Sequence, residues 1–334
     1  MGGDHAPQPI VEGAILAAEQ FGRDLEVVLV GDEPAIRAFL PADRQSKLGI
    51  EIVHTTECIG MAESAPTAYR RKPDASIVVA TRMLKERNVH AMISAGNTGA
   101  VVTASLLGLG RLPGVDRPAI ATIVPTPTGH CLLLDVGANS DSKPQHLFQF
   151  AVMGNVYAQQ VYNVANPKIG LLNIGEESSK GSDLTQQAYK LLDEARGQMN
   201  FIGNVEGKDI LTGTSDVVIC DGFTGNVILK FAESVVGMAV QTVRREMESN
   251  LKFKIGAALL RPVFHRLKSK LNYEEYGGAP LLGVDGVVVI SHGRSTAKAI
   301  MNAIRVGGTA ARQGVAEKIG EELARELQRQ EATG

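Results

Sequence analysis

The segment VVICDGFTGNVIL, residues 217–229, joins an apolar run to an amphipathic stretch through a turn that contains two glycines. Its first part, Val217–Cys220, is apolar and rich in β-branched residues, which is typical of a buried strand. The stretch from Val227 onward has the pattern of a helix, and the first turn of a helix leaves unpaired N–H groups that favour a bound anion. We therefore predict a phosphate or oxyanion site made by Asp221, Gly222, Thr224, Gly225 and Asn226. The alternative is an ordinary turn with Thr224 or Asn226 as the helix cap.

The same succession of apolar run, glycine- or Asx-rich turn and amphipathic stretch recurs along the chain. The other apolar runs are Leu25–Val30, Ala91–Ala95, Leu132–Val136, Lys168–Ile174 and Val287–Ile290. Runs that are apolar on both faces and alternate with helices predict an α/β fold whose mostly parallel sheet is covered on two sides. Such sheets bind ligands beyond the carboxyl ends of their strands.

Several of these turns carry side chains that suit an anionic ligand. Loop 176–183 carries Ser178 and Lys180 before a helix, and Lys180 is a candidate to neutralise a phosphate. The other turns supply Asn97, Thr98 and Gly99 after one strand, and Asp135 and Asn139 after another. We expect these turns to converge on one substrate-binding site, although each taken alone is also compatible with a solvated polar turn.

Two histidines lie in glycine-flanked turns, where an imidazole can bind a ligand or transfer a proton. They are His5, next to Asp4, and His292. A purely structural turn histidine is the alternative for both.

The segment Met1–His5 resembles a turn that follows a strand, yet no strand precedes it, so either the chain start was set late or the fold lacks its first strand. The first helix is expected from Pro9 or Ile10 to Phe21.

Composition excludes several classes of function. The 334 residues are 44% hydrophobic and 4% aromatic, contain no tryptophan and have a net charge of -2, which argues against a nucleic-acid partner. No dinucleotide fingerprint, P-loop, nucleophile elbow or zinc-ligand spacing occurs, which argues against P-loop kinases, serine hydrolases and zinc enzymes. Cys58, Cys131 and Cys220 are far apart, as in a reduced cytoplasmic protein, and Cys220 is interpreted as a core residue. We find no uninterrupted apolar stretch long enough to predict a spanning helix.

The segment Leu251–Leu271 is basic and amphipathic. Two apolar strips flank Pro262, which predicts a helical hairpin that protrudes at 249–275 from one large domain, 1–334, with a soft lobe boundary near 140. The residues expected to contact a membrane or carrier protein are Lys252, Lys254, Phe264, Arg266, Lys268 and Lys270. Such a surface suits an anionic membrane or an acidic protein partner, and a helix pair docked on the core or on a dimer partner is the alternative.

Two further helices are indicated. Asp183 with Gln186 resembles a capping box, and an apolar stripe follows it. The final segment Val315–Gln330 is rich in Ala, Glu, Lys, Leu and Arg and predicts a surface helix.

Taken together, the turns resemble those of the phosphate acyltransferase (PlsX) family, the acyl-carrier-protein:phosphate acyltransferases of bacterial phospholipid synthesis. The motifs that carry the resemblance are Met1–Pro7, Ser94–Ala100, Leu134–Asp141, Leu171–Gly181, Phe201–Gly207, Asp221–Asn226 and Tyr276–Gly283. The resemblance implies a three-layer, doubly wound α/β fold like that of isocitrate dehydrogenase and phosphate acetyltransferase, a homodimer and peripheral membrane association. It also implies acyl carrier protein as acyl donor, no metal or organic cofactor, and an acyl phosphate passed to a membrane glycerol-3-phosphate acyltransferase.

The implied reaction needs little covalent help from the protein. A thioester is already activated, and its thiol of pKa about 8.5 leaves readily. Inorganic phosphate, like a phosphomonoester with a second pKa of about 6, is substantially dianionic at neutral pH. We expect Lys180 and the helix start at 221–226 to hold phosphate, and Asn226 or nearby backbone N–H groups to face the thioester carbonyl. His292 is expected to protonate the departing thiolate. A short-chain acyl-CoA:phosphate acyltransferase, a nicotinamide-dependent dehydrogenase by fold analogy, and a non-catalytic membrane-recruited scaffold are the alternatives.

Overall fold

A computed structural model describes residues 1–22, 24–127, 129–271 and 277–333, without the side chains of 265–271 and 330–333. The strands in this part of the chain are β1 (Val28–Gly31), β2 (Glu51–His54), β3 (Ala91–Ser94), β4 (Ala119–Thr126), β5 (Gly129–Leu134), β6 (Lys168–Leu172), β7 (Asn200–Val205), β8 (Val217–Ile219), β9 (Ala279–Leu282) and β10 (Val287–Ile290). Eight of these described strands form one sheet in the order β3-β10-β9-β4-β5-β8-β6-β7.

Helices cover this sheet. They are α1 (Gln8–Phe21), α2 (Glu33–Arg37), α3 (Ala42–Leu48), α4 (Ala65–Arg71), α5 (Ser76–Lys85), α6 (Thr98–Ala104), α7 (Pro144–Tyr162), α8 (Asp183–Glu194), α9 (Asp209–Thr212), α10 (Gly222–Glu248), α11 (Leu251–Leu271), α12 (Ala297–Arg312) and α13 (Val315–Thr333). A single π-helical turn, Ser105–Leu109, continues α6.

The sheet is parallel at both ends and antiparallel in its middle. β5, β8, β6 and β7 run parallel to one another, as do β3 and β10, while β9 is antiparallel to both β10 and β4, and β4 is antiparallel to β5. The α/β class with a mostly parallel sheet is confirmed. The antiparallel strands β4 and β9 were not predicted, because prolines at 118, 125 and 280 interrupt their apolar patterns.

Alternate side chains of each central strand enter different cores. Leu132 and Leu134 pack with α7, α8 and α13, whereas Cys131 and Leu133 pack with α5, α6 and α9 on the opposite face. This alternation follows from the two-residue period of a strand. It produces the three layers that the apolar runs predict.

The two halves of the chain share this sheet. β8 pairs with β5, and β9 pairs with β4, across the lobe boundary predicted near residue 140. β1 and β2 form a separate two-stranded parallel sheet, held by a core between α1 and α12. Helix α1 begins one or two residues earlier than expected, with Pro9 in its first turn.

Two helix predictions require correction. The cap of α8 is Ser182, whose hydroxyl accepts from the Thr185 backbone N–H at 3.4 Å, and not Asp183. Helix α13 is not simply a surface helix, because Val315, Ile319 and Leu323 are buried in the core beneath it.

The protruding hairpin is larger than predicted. Pro262 lies inside a single helix, α11, and the second arm of the hairpin is α10, so the excursion begins before residue 249. Many apolar side chains of the hairpin are exposed, among them Phe231, Val235, Val236, Met238, Val240, Val243, Phe253, Ile255, Leu259 and Leu260. By length and mean hydropathy alone, α10 is the one described helix that meets the criteria for a membrane span. Its first turn, however, is buried in the domain at Gly222 and Gly225.

Candidate active site

A cleft of about 410 Å³ opens at the edge of the sheet where strands β3, β5, β8 and β10 end. The polar and glycine residues that line it are Thr98, Gly99, Thr122, Gly137, Asn226, Lys230, Glu233, Gly278, Ser291, His292 and Ser295. Four of the predicted site residues, Thr98, Gly99, Asn226 and His292, therefore meet in one cavity. They lie in the turns after β3, β8 and β10, and the turn after β5 joins them through Gly137, so four turns converge as expected for an α/β sheet.

Asn226 lies in the first turn of α10 and faces the turn that follows β5. Its side-chain atoms stand 3.6 to 3.7 Å from the position that a Cβ on Gly137 would occupy. The structure shows no hydrogen bond to the Asn226 amide within the described residues. An unpaired amide on the cleft wall is available to donate to a ligand oxygen.

Gly222 and Gly225 let α10 approach the sheet closely. A Cβ on Gly225 would stand 2.0 Å from the Asp135 carbonyl oxygen, and one on Gly222 would stand 2.2 Å from the Asn139 carbonyl oxygen. These distances are far shorter than any real contact of a Cβ atom. The two glycines thus fix where the start of α10, with Asn226, stands above the sheet.

Asp221 and Thr224 hydrogen-bond to each other at the start of α10. Asp221 is the cap of α10: one carboxylate oxygen accepts from the Thr224 backbone N–H at 2.9 Å and the other from the Thr224 hydroxyl at 2.6 Å. The cap is therefore Asp221, and not Thr224 or Asn226 as in the ordinary-turn alternative. Both side chains are occupied with each other, so their part in the site is to order the helix N-terminus.

Asp135 and Asn139 stabilise the turn beneath the cleft. The fully buried Asp135 carboxylate accepts from the backbone N–H groups of Ile120, Gly137, Ala138 and Asn139 and from the Asn139 side-chain amide. Burial raises the pKa of Asp135, and the hydrogen bonds from Ala138 and Asn139 oppose that effect. Neither side chain lines the cleft, so their contribution to ligand binding is the shape of the 135–139 turn.

His292 is half-buried on the cleft wall. Its Nδ1 accepts from the Arg294 backbone N–H at 3.4 Å, which leaves the proton of the neutral imidazole on Nε2. Burial lowers the pKa of His292, and the positive charges of Arg294 and Lys230 lower it further. At neutral pH the ring is therefore a neutral hydrogen-bond donor rather than an imidazolium acid.

The sequence analysis missed five polar cleft residues, which are Thr122, Lys230, Glu233, Ser291 and Ser295. Lys230 lies one helical turn after Asn226, and its Nζ stands 3.5 Å from the Glu233 carboxylate. Ser291 is buried, lines the cleft, and its hydroxyl has no hydrogen-bond partner among the described residues. The spacing of Asn226, Lys230 and Glu233 at i, i+4 and i+7 was the available signal, since it places them on one helix face.

The turn after β3 contributes Thr98 and Gly99 to the cleft wall, while Asn97 caps α6. The Asn97 side-chain Oδ1 accepts from the Ala100 backbone N–H at 3.1 Å, and the side-chain Nδ2 donates to the Met61 carbonyl at 2.8 Å. The N-terminal turn lies against the turn that follows β10. The Asp4 N–H donates to the Gly293 carbonyl at 2.8 Å, next to His292, whereas His5 is exposed and outside the cleft lining.

The structure does not bring Lys180 into the cleft. Lys180 and Ser178 are exposed on the loop after β6, and neither is among the lining residues. Since β6 neighbours β8, this loop begins one strand position away from the turn that carries Asn226. The phosphate contact of Lys180 stays a prediction.

Cys220, directly before the site, is a core residue as predicted. It is buried, its Sγ lies 3.4 Å from the Asp135 carbonyl oxygen, and burial raises the pKa of its thiol.

Of the residues predicted to contact a membrane or carrier protein, Lys252 and Lys254 are exposed on α11 and Phe264 is half-buried. The side chains of Arg266, Lys268 and Lys270, like the whole of Tyr276, lie outside the described residues.

Comparison with known proteins extends the resemblance to nearly the whole chain. The family model described as fatty acid synthesis protein matches residues 1–318. The phosphate acyltransferase of Heliobacterium modesticaldum is 54% identical over 316 residues, covering 94% of this chain and 92% of that one. That of Desulfitobacterium hafniense is 51% identical over 326 residues, covering 97% and 96% of the two chains.

Solved structures support the fold. A phosphotransacetylase from Streptococcus pyogenes aligns with a TM-score of 0.57 at 15% identity, covering 90% of this chain and 91% of that one. A branched-chain phosphotransacylase from Enterococcus faecalis aligns with a TM-score of 0.57 at 14% identity, covering 92% and 96%. The full-length match of the family model and the identity of about half to its relatives show that this chain belongs to the fatty acid synthesis protein family, the family of the phosphate acyltransferases.

Proposed function

We propose that this protein transfers a long-chain fatty acyl group from acyl-[acyl-carrier-protein] to inorganic phosphate, giving an acyl phosphate for phospholipid synthesis. The observation that carries the proposal is the cleft in which the α10 start, the 135–139 turn and His292 converge. The family membership supplies the reaction class, and the resemblance supplies the carrier protein as donor.

The cleft suits this reaction because it combines donors with a helix N-terminus. A phosphate oxygen attacks the thioester carbonyl carbon, and the carbonyl electrons move onto oxygen to form a tetrahedral oxyanion. The oxyanion collapses, the C–S bond breaks, and the thiolate leaves and takes its proton from water or a nearby donor. In this proposal the Asn226 amide and the Nε2–H of His292, both on residues that line the cleft, stabilise the oxyanion, since preorganised donors act on the charge that develops.

This assignment changes the proposed role of His292. Because the His292 ring is neutral, we propose that it donates a hydrogen bond to the oxyanion or to the thiolate, and that it does not transfer a proton as an imidazolium. The buried Ser291 hydroxyl adds a further partner on the same wall. Removing a single donor of this kind typically lowers kcat about 10² to 10³-fold.

Two lysines are candidates to neutralise the phosphate. Lys230 lines the cleft, while Lys180 extends from the neighbouring loop. We propose that Lys230 contacts phosphate inside the cleft and that Lys180 reaches it from the rim. The apparent KM for phosphate of Lys230→Met and Lys180→Met tests each contact separately, and a variant with an unchanged KM removes its lysine from the phosphate site.

The product assay tests the function directly. Purified protein is incubated with palmitoyl-[acyl-carrier-protein] and labelled phosphate, and the acyl phosphate is trapped as its hydroxamate. Product with the long-chain donor and little with acetyl-CoA supports the proposal. The reverse preference favours the short-chain alternative, and absence of product with both favours a non-catalytic scaffold.

We further propose that the α10–α11 hairpin serves a homodimer and an anionic membrane surface, so that the acyl phosphate reaches a membrane glycerol-3-phosphate acyltransferase. The exposed apolar side chains of both arms and the exposed Lys252 and Lys254 support this. The protein would then be cytoplasmic and peripherally membrane-associated.

A Phe253→Glu variant separates the two uses of the hairpin. Reduced dimerisation in sedimentation velocity would indicate a subunit contact, whereas reduced co-sedimentation with phosphatidylglycerol vesicles at an unchanged oligomeric state would indicate a membrane contact. Wild-type behaviour in both measurements would contradict both proposals for this surface.

Docking of the acidic carrier protein needs a basic surface. Lys252 and Lys254 on α11 and the run Arg70-Arg71-Lys72 at the end of α4 are the two candidates. Lys72 is already paired with Glu63 at 2.8 Å, so the free charge at the end of α4 is smaller than the sequence suggests. Charge reversal at Lys252 and Lys254 is expected to raise KM for the acyl carrier protein donor and leave KM for phosphate unchanged.

A further inference from the structure

Glu233 of α10 is the one acidic residue among the described residues that line the cleft. The carboxylates of Asp135 and Asp221 belong to the surrounding turns and lie outside the lining. A cleft that binds a phosphate dianion loses affinity from every negative charge inside it, because like charges repel each other. Glu233 therefore opposes phosphate binding unless it makes a favourable contact with the ligand.

The Glu233 carboxylate is only loosely held by the protein itself. Its side chain is 25% exposed, and it accepts no hydrogen bond within the part of the chain that the structure describes. Its ion-pair partner, the Lys230 ammonium, stands 3.5 Å away, which is longer than a charge-assisted hydrogen bond of about 2.7 to 2.9 Å. The carboxylate oxygens are thus available to accept from a ligand.

Helix geometry directs Glu233 toward the proposed reaction centre. Glu233 follows Asn226 by seven residues, so two helical turns bring both onto one face of α10. The side chains of a helix lean toward its N-terminus, so Lys230 and Glu233 extend back toward Asn226. The charges of Lys230 and Glu233 act in opposite directions on the pKa of His292, which places both side chains near that ring.

The other polar groups near Glu233 on the cleft wall are hydrogen-bond donors. Four of them can donate to an anionic oxygen, and these are the Lys230 ammonium, the Asn226 amide, the Nε2–H of His292 and the Ser291 hydroxyl. An ionised carboxylate, in contrast, can only accept. A ligand that fits this set has several anionic oxygens and one O–H group that points at Glu233.

Inorganic phosphate has this combination of groups at neutral pH. Its dianion carries one P–OH group beside three oxygens that share the negative charge, so it can donate one hydrogen bond and accept several. The sulfate dianion has the same charge and the same tetrahedral shape, but it carries no proton. A carboxylate in the site therefore pairs with phosphate and repels sulfate, since a site built to accept from a ligand O–H rejects the analogue that lacks it.

We propose that Glu233 determines the anion specificity of the cleft by accepting a hydrogen bond from the P–OH group of the bound phosphate dianion. The contact holds the P–OH group away from the thioester, so that an anionic oxygen is the one that attacks the carbonyl carbon. This role rests on the proposed function, since it requires phosphate to bind in the cleft. A carboxylate that only paired with Lys230 would not distinguish two dianions of equal charge.

The test compares phosphate with sulfate in the wild-type protein, in Glu233→Gln and in the matched control Glu248→Gln. Glu248 is exposed farther along the same helix, where it pairs with Arg244 at 2.9 Å. The hydroxamate assay gives KM for phosphate and the inhibition constant of sulfate. The ratio of the sulfate constant to the phosphate KM is expected to fall by about 10- to 100-fold in Glu233→Gln, the range that one hydrogen bond to a charged group represents. The ratio is expected to stay at the wild-type value in Glu248→Gln.

The same comparison can be made without turnover, because the His292 ring resonance, titrated with each anion in the absence of an acyl donor, gives the two dissociation constants. An unchanged ratio in Glu233→Gln, or equal affinities of the wild-type protein for the two anions, would overturn the role of Glu233. A ring that responds to neither anion would overturn it together with the phosphate site. Selective phosphate binding that is lost in Glu233→Gln, in a protein that forms no acyl phosphate, would contradict the proposed function and support the role of Glu233.

Discussion

At the scale of single residues, the geometry of the cleft depends on groups that never touch substrate. Gly225 shows this most clearly, because its missing side chain is what lets α10 pack on the Asp135 carbonyl and Cys220. We expect Gly225→Ala to destabilise the protein by about 1 to 3 kcal/mol, the usual cost of overpacking. Gly237→Ala is the matched control in the same helix, where no atom lies within 4 Å of the new Cβ and a gain of about 0.5 to 1 kcal/mol is expected. Urea unfolding of both variants measures the difference, and equal stabilities would contradict the close-packing account.

The charge state of His292 provides a second residue-scale prediction. Its lowered pKa means that the native protein favours the neutral ring, so the unfolded chain binds the proton first as pH falls below about 6.5, and stability decreases in that range. By NMR, we expect the His292 ring to titrate below the ordinary histidine value. Lys230→Met should move that midpoint upward and Glu233→Gln should move it downward, because the two charges act in opposite directions. A midpoint that neither variant moves would show that His292 does not sense the cleft charges.

At the scale of elements, the start of α10 both joins the hairpin to the sheet and forms the proposed anion site. Asp221→Ala removes the cap and releases Thr224, which should cost about 1 kcal/mol of stability and also raise KM for phosphate. Asp32→Ala removes the cap of α2, away from the cleft, and should cost stability with no change in KM for phosphate. Thermal unfolding and phosphate kinetics on the two variants separate capping in general from capping at the site. If KM for phosphate is the same in both variants, the phosphate does not bind at the start of α10.

Individual strands and helices show which parts of the fold could be predicted from the sequence and which could not. Val287–Ile290 was predicted with its observed bounds, because its apolar run is uninterrupted and β-branched. β4 and β9 were missed because proline breaks the pattern by which a strand is recognised. The hairpin was located by its charge pattern, but its first arm was missed because α10 begins as a core helix and changes character only after its first turns.

At the scale of the whole molecule, strand order decides which turns become neighbours. Four turns predicted from separate parts of the chain meet in the cleft, because the strands they follow end at one edge of the sheet. Lys180 was predicted to join these turns because its own turn follows a strand. That strand, β6, lies one position beyond β8 in the sheet, and strand order cannot be deduced from a local sequence pattern. Lys230 was overlooked for the converse reason, since it follows the turn and reaches the cleft only through helix geometry.

We propose that acyl transfer to phosphate takes place in the cleft beside Asn226. The most direct measurement is kcat/KM for phosphate in the hydroxamate assay with Asn226→Ala, alongside Ser234→Ala on the exposed part of the same helix. The account predicts a loss of about 100-fold or more for Asn226→Ala at an unchanged Tm, and wild-type activity for Ser234→Ala. Wild-type kcat/KM in a folded Asn226→Ala protein would contradict it.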